Sequence, residues 1–335
     1  MMIIGWVRAA VVLGLVVVLL GGWTRLNDAG LGCPDWPGCY GNWVLPADHA
    51  ELTAVHPGAV IDLRKGWIEM IHRYAAATLG LVVIGLAVAA LRNRTREGYP
   101  VGLSLGLLGL VIIQGLFGMW TVTLKLLPIV VTLHLMGGLA TLTLLVRLEQ
   151  RLRRLASGRV AQPVRIQGGV RLLLFCLFLQ LLLGGWTSTN YAGWACSDWL
   201  LCHRDQVIEY DFATGLNPFM AVGPNYEGGL HDASARAAIQ ITHRLGALLL
   251  IAVSLWLAWR LWSQRFLRGP VLLYLMTLGI QVFLGIANVI WLLPLGLAVA
   301  HHGTAVLLLL LALNLYDRAQ APVMEVSHEY AVSCR

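Results

Sequence analysis

Charged side chains are scarce in this sequence. They make up 12% of its 335 residues, about half the roughly 25% that soluble domains carry. A water-facing surface cannot be built from so few charges, which excludes a cytosolic globule. Carboxylate and cysteine clusters are also missing from the apolar stretches, which argues against a zinc or copper centre there. No small-residue cleavage site follows the first apolar stretch, so it is expected to be a retained span and not a signal peptide. What is present is apolar: 58% hydrophobic residues and a mean hydropathy of +0.72. The apolar residues fall in runs such as Val11–Leu20, Leu79–Leu91 and Ala305–Leu313. A net charge of +7 could suggest nucleic acid as a partner, but the placement of the arginines excludes it.

A helix crossing the bilayer core needs about 20 mostly apolar residues. Eight stretches qualify, at about 8–24, 67–91, 101–123, 129–147, 171–187, 238–260, 271–292 and 295–315. Arg92, Arg94 and Arg96 follow the second. Arg147, Arg151, Arg153, Arg154, Arg159, Arg165 and Arg171 surround the loop after the fourth, and Arg260, Arg265 and Arg268 follow the sixth. Arginine-rich short loops stay cytoplasmic. Both termini are therefore expected inside, with the long loops 25–66 and 188–237 facing outward. The positive charge of the chain is explained by the membrane lipid it contacts.

The two halves repeat. Gly21-Gly22-Trp23-Thr24 returns as Gly184-Gly185-Trp186-Thr187, and Cys33-Pro34-Asp35-Trp36 as Cys196-Ser197-Asp198-Trp199. Ile71-His72-Arg73 pairs with Thr242-His243-Arg244, Gln114 with Gln281, and His134 with His301. Four spans per half give both halves one orientation, related by an axis along the membrane normal. The expected fold is all-α: a polytopic membrane protein of eight transmembrane helices arranged as two pseudo-twofold related four-helix bundles. Residues 1–150 form the first, 151–170 an arginine-rich cytoplasmic linker, 171–320 the second and 321–335 a cytoplasmic tail.

Ionisable residues inside spans are costly and point to function. His72, His134, His243 and His301 each lie about five residues below the outer end of a span, roughly 6–9 Å deep at 1.5 Å per residue. Two histidines per bundle at one depth can place imidazoles on both faces of a planar macrocycle, which is how a b-type haem is held. The competing reading, a buried histidine bonding a neighbouring helix, explains one such residue more easily than four in a repeat. His302 points about 100° away from His301, so one of the two can be the ligand; the alignment favours His301. His49, His56, His203 and His231 are read as solvated loop residues. Arg73 and Arg244 suit propionates, since guanidinium binds carboxylates bidentately, or else they snorkel to the interface.

Glu69 stands three residues before His72 on the same helical face, where the second half has Gln240. A carboxylate in one bundle and its neutral isostere in the other suggests proton transfer or stabilisation of positive charge in the first alone. The bland alternative is a glutamate reaching the headgroups and pairing with Arg73. Cys33 and Cys39, and Cys196 and Cys202, lie six apart in the outward loops. An oxidising compartment makes each pair a disulfide, either a loop staple or an exchange site. Cys176 and Cys334 have no apparent partners.

In order and duplication, these motifs resemble the haem A synthase family. The resemblance rests on Glu69-Met70-Ile71-His72-Arg73, Leu133-His134-Leu135, Thr242-His243-Arg244, Ala300-His301-His302, and Asn190-Tyr191-Ala192-Gly193 with Cys196, and it spans almost the whole chain. It implies that His72 and His134 flank the substrate haem O, that His243 and His301 hold a haem b cofactor, and that Glu69 is the essential carboxylate. The implied reaction oxidises the C8 methyl group of haem O twice, to a gem-diol that loses water and leaves a formyl group. A haem O synthase, a quinone or other electron acceptor, and a second copy of the chain are the partners it suggests, in a bacterial cytoplasmic membrane. Two other classes remain: a di-haem cytochrome b carrying electrons from quinol, which gives Glu69 no role, and a quinone-linked disulfide oxidoreductase, which gives the histidines none.

Overall fold

The computed structural model describes residues 2–46, 52–53, 61–163, 167–199, 202 and 209–324. Among them are eight helices long and apolar enough to cross a membrane. They are α1 (Met2–Leu26), α2 (Leu63–Arg92), α3 (Val101–Thr123), α4 (Pro128–Ser157), α5 (Gln167–Thr189), α6 (Ala233–Leu261), α7 (Arg268–Ile290) and α8 (Leu295–Arg318). The chain is a multi-pass membrane protein. All eight expected spans are present. α2, α4 and α6 run past their apolar stretches by a turn or more, because flanking polar residues continue the helical hydrogen bonding.

Sequence chemistry sets several helix ends. Asp62 caps α2 by accepting from the Lys65 N–H at 3.0 Å, and Asp232 caps α6 by accepting from Ala235 N–H at 2.9 Å. A side-chain oxygen here satisfies one of the donors a helix start leaves open. Pro128 opens α4, where a missing N–H costs nothing. The turns α3–α4 and α7–α8 match: Lys125 and Leu126 take φ of 49° and 61°, Leu292 and Leu293 take 56° and 58°. Leu126 N–H donates to Thr121 O at 2.8 Å, and Leu293 N–H to Asn288 O at 2.7 Å.

Within the first half α1 packs on α2 and α4, and α3 on α2 and α4; within the second, α5 packs on α6 and α8, and α7 on α6 and α8. The packing order thus repeats with the sequence. The halves meet through α4 against α5 and α8, and α1 against α8. One apolar core runs across this seam, with Val18, Leu139 and Leu142 beside Leu177, Leu250 and Leu309. Large side chains such as Leu81, Phe175 and Met276 face outward, as lipid contact requires. One feature lay outside the sequence reading. Arg159–Pro163 (β1) and Gln320–Met324 (β2) pair antiparallel, tying linker to tail.

Candidate functional site

The four span histidines each stand against a glycine of a neighbouring helix. A Cβ built at Gly21 would lie 3.0 Å from Cε1 of His72, and one at Gly184 3.3 Å from Cε1 of His243. At Gly118 the distance to His134 is 3.6 Å, and at Gly285 it is 3.1 Å to His301. Gly21 and Gly184 are repeat equivalents, as are Gly118 and Gly285. The missing side chains let each ring lie close to a helix backbone, which limits the directions its free nitrogen can take.

His72 on α2 and His134 on α4 face each other with ring centroids 6.5 Å apart and planes at 87°. An imidazole nitrogen binds a metal at roughly 2 Å, with its ring centre about 1 Å behind. Two rings on opposite sides of one metal therefore have centres about 6 Å apart, the spacing seen here. Nδ1 of His72, His134 and His301 is buried without a hydrogen-bond partner among the described residues. No group of three or more His, Cys, Asp or Glu side chains placed to hold a metal ion occurs among those residues. In the second half, Gln180 Nε2 lies 3.1 Å from His243 Nδ1 and donates to the His243 carbonyl at 3.0 Å. Gln281 Nε2 lies 3.2 Å from His301 Nε2.

Glu69 is 4% exposed, enclosed by protein. Its carboxylate accepts from the Cys33 N–H at 2.9 Å and from Arg73. The pairing with Arg73 posed as an alternative is real, and it buries the carboxylate. Arg73 donates to Asp35 O at 3.0 Å, to Pro37 O at 3.2 Å and to Gly38 O, so its guanidinium is committed to Glu69 and the loop above. Arg244, its counterpart, donates from Nη1 to Asp198 O at 3.1 Å and Trp199 O at 2.9 Å, while its Nη2 is buried without a hydrogen bond. Gln240, opposite Glu69 in the repeat, is buried with Oε1 unpartnered.

Cys33–Cys39 and Cys196–Cys202 are both disulfide-bonded. The first closes the loop whose backbone holds Glu69 and Arg73. Cys176 is a buried free thiol. His302 turns away from His301 to the seam, where Nε2 meets Val18 O at 3.2 Å and the ring presses on Gly22. His231, read as solvated, is part-buried, with burial pulling its pKa below the usual value. His49, His56, His203 and Cys334 lie outside the described residues. Sequence reasoning missed Gln180. A polar side chain in an otherwise apolar span, at the position where the first half has Val17, was the available signal.

Residues 5–313 match the model of a family described as cytochrome oxidase assembly protein, COX15-CtaA. The chain belongs to this family. It is 44% identical over 311 residues, 90% of this chain and 92% of the relative, to a heme A synthase of Shewanella oneidensis. It is 28% identical over 344 residues to a heme A synthase of Caulobacter sp. strain K31, covering 95% of this chain and 96% of the relative. A heme A synthase of Rhizorhabdus wittichii is also 28% identical, over 330 residues, 91% of this chain and 90% of the relative. The family match runs from α1 into α8 and includes both cysteine-bearing loops.

Proposed function

We infer that this chain is a haem A synthase, an oxidoreductase that converts the C8 methyl group of haem O to the formyl group of haem A for terminal oxidases. The observation that carries the reading is the asymmetry of two otherwise matched sites: Glu69 with His72 and His134 in one, Gln240 with His243 and His301 in the other. Substrate haem O lies between His72 and His134 in the N-terminal unit, residues 1–150. Haem b is held by His243 and His301 in the C-terminal unit, residues 171–320. The 6.5 Å ring separation, the partnerless ring nitrogens and the four facing glycines support a fit to planar iron macrocycles.

Haem b, when bound, supplies a one-electron redox group beside the substrate site. This chain's own residues do the rest. Glu69 takes up a proton, or faces the positive charge that develops, as the methyl group loses electrons. Arg73 and the Cys33 N–H fix the carboxylate, so Arg73 acts as a positioning residue for Glu69. Arg244, with Nη2 unpartnered, is the propionate-binding residue of the haem b site. The disulfide Cys33–Cys39 staples the loop that supplies these contacts.

The protein sits in the bacterial cytoplasmic membrane with both termini and the 151–170 linker inside and the cysteine loops outside. A haem O synthase delivers substrate, and a quinone or another acceptor takes the electrons. The test is haem extraction from cells that make haem O but have no other route to haem A. Reversed-phase chromatography with mass detection should find haem A or its hydroxymethyl precursor with the wild-type chain and neither with Glu69→Gln. Haem b alone, with haem O unchanged, would leave a di-haem electron carrier instead.

A further inference from the structure

Two positions beside the ligand histidines break the repeat together. Gln180 on α5 corresponds to Val17 on α1, and Gly246 on α6 corresponds to Ala75 on α2. In the second half the pair is complementary. A Cβ at Gly246 would collide with Gln180 Oε1 and Leu183 Cδ1, so a larger residue there would displace the amide from this place. The amide lies against His243, with Nε2 3.0 Å from its carbonyl and 3.1 Å from its Nδ1. Oε1 is buried without a partner. The first half has no amide at the matching place; the His72 ring bonds the Val17 backbone instead, and its Nδ1 is without a partner.

A histidine that binds iron through one ring nitrogen carries its proton on the other, and that N–H needs an acceptor to fix the tautomer and ring orientation. We propose that Gln180, admitted by Gly246, is a positioning residue that fixes His243 as a permanent ligand of haem b, a side-chain partner that His72 in the first half does not have. Nε2 lies at both the His243 carbonyl and Nδ1; once Nδ1 carries the proton, the amide turns about its last bond so that the unpartnered Oε1 accepts it. An acceptor on Nδ1 makes the imidazole a stronger donor and favours ferric over ferrous iron. The inference rests on the assignment of haem b to the C-terminal bundle; it does not depend on turnover of haem O.

The test uses the full-length protein purified in detergent and three variants: Gln180→Val, Gln180→Val with Gly246→Ala, and Gln180→Glu. The readouts are haem b per chain, its resistance to extraction by a haem-binding competitor, and its midpoint potential by redox titration. Loss of an outer-shell partner typically weakens metal binding about 10–100-fold, so haem b should leave both valine variants faster by that order. Their midpoint potential should rise, each tenfold change in the ferric-to-ferrous affinity ratio being about 59 mV for one electron. Gln180→Glu, nearly isosteric and a stronger acceptor, should retain haem b and move the potential the opposite way. That opposite shift is one that a purely packing role would not give. Wild-type retention and potential in all three variants would overturn the inference and leave the haem A synthase reading standing. Wild-type protein carrying no haem b would overturn the assignment on which both rest. If the valine variants do not accumulate, the potential of Gln180→Glu decides alone.

Discussion

Glu69 and Gln240 have side chains of the same shape, and both are buried; only the carboxylate has its contacts satisfied, by Arg73 and the Cys33 N–H. Glu69→Gln should keep the fold and both haem sites while haem A formation falls by at least about 10²-fold, the scale of a lost acid–base group, measured by haem extraction. Gly21→Ala tests the neighbouring constraint. A Cβ 3.0 Å from His72 must push the imidazole off its line, so haem O binding should weaken, read as a change in the optical spectrum on titration, with haem b content unchanged. At the helix start, the backbone N–H of Ala235 holds the Asp232 carboxyl below its ordinary value of 3.8, helped by the Ser234 side chain. A lowered folded-state value means the cap contributes above 3.8 and its contribution is lost as the pH falls through the lowered value. Asp232→Ala should cost about 1 kcal/mol at neutral pH, and the gap to wild type in thermal unfolding should close in acid.

At the level of whole helices, the repeat supplies its own controls. Leu135 is the counterpart of His302. Leu135 packs over Gly185 where α4 meets α5, and His302 packs over Gly22 where α8 meets α1. His302→Leu therefore installs a residue the other crossing already accepts. It removes the contact to Val18 O, and stability should drop by only about 1 kcal/mol, with haem b retained; loss of haem b would mean that His302, and not His301, is the ligand. The same comparison explains the paired left-handed residues in the α3–α4 and α7–α8 turns, Lys125-Leu126 and Leu292-Leu293. Each reverses the chain within a few residues, so that Gly118 and Gly285 come to face His134 and His301.

For the whole molecule, the seam between the halves carries polar ties at both ends. Thr132 and Thr189 hydroxyls lie 3.0 Å apart near one end. Near the other, Asp317 of α8 accepts from Arg153 at 2.6 Å and from Arg154, both on α4. Breaking a buried ion pair costs about 3–5 kcal/mol; Arg153 is half exposed, so Asp317→Asn should cost nearer 2 kcal/mol, seen as a lower unfolding temperature in detergent. Orientation is tested by reporter fusions. A reporter active only outside the membrane should work when joined after residue 210 and fail when joined after residue 158.

The sequence by itself determined the number of spans, because long apolar runs leave the chain no other low-energy choice in lipid. It determined the repeat and the four histidines, because duplicated residues at fixed offsets are visible without coordinates. The six-residue cysteine spacing was legible too, and both disulfides formed. Only tertiary structure shows what Arg73 touches, because its contacts depend on where the Cys33–Cys39 loop brings the carbonyls of Asp35, Pro37 and Gly38. It also decided that His302 turns to the seam, since helical phase gives a direction but not the helix found there. Gln180 and Gly246 are far apart in the chain and meet only when α5 and α6 pack. A niche made by a missing side chain on one helix for an amide on another is a property of their contact.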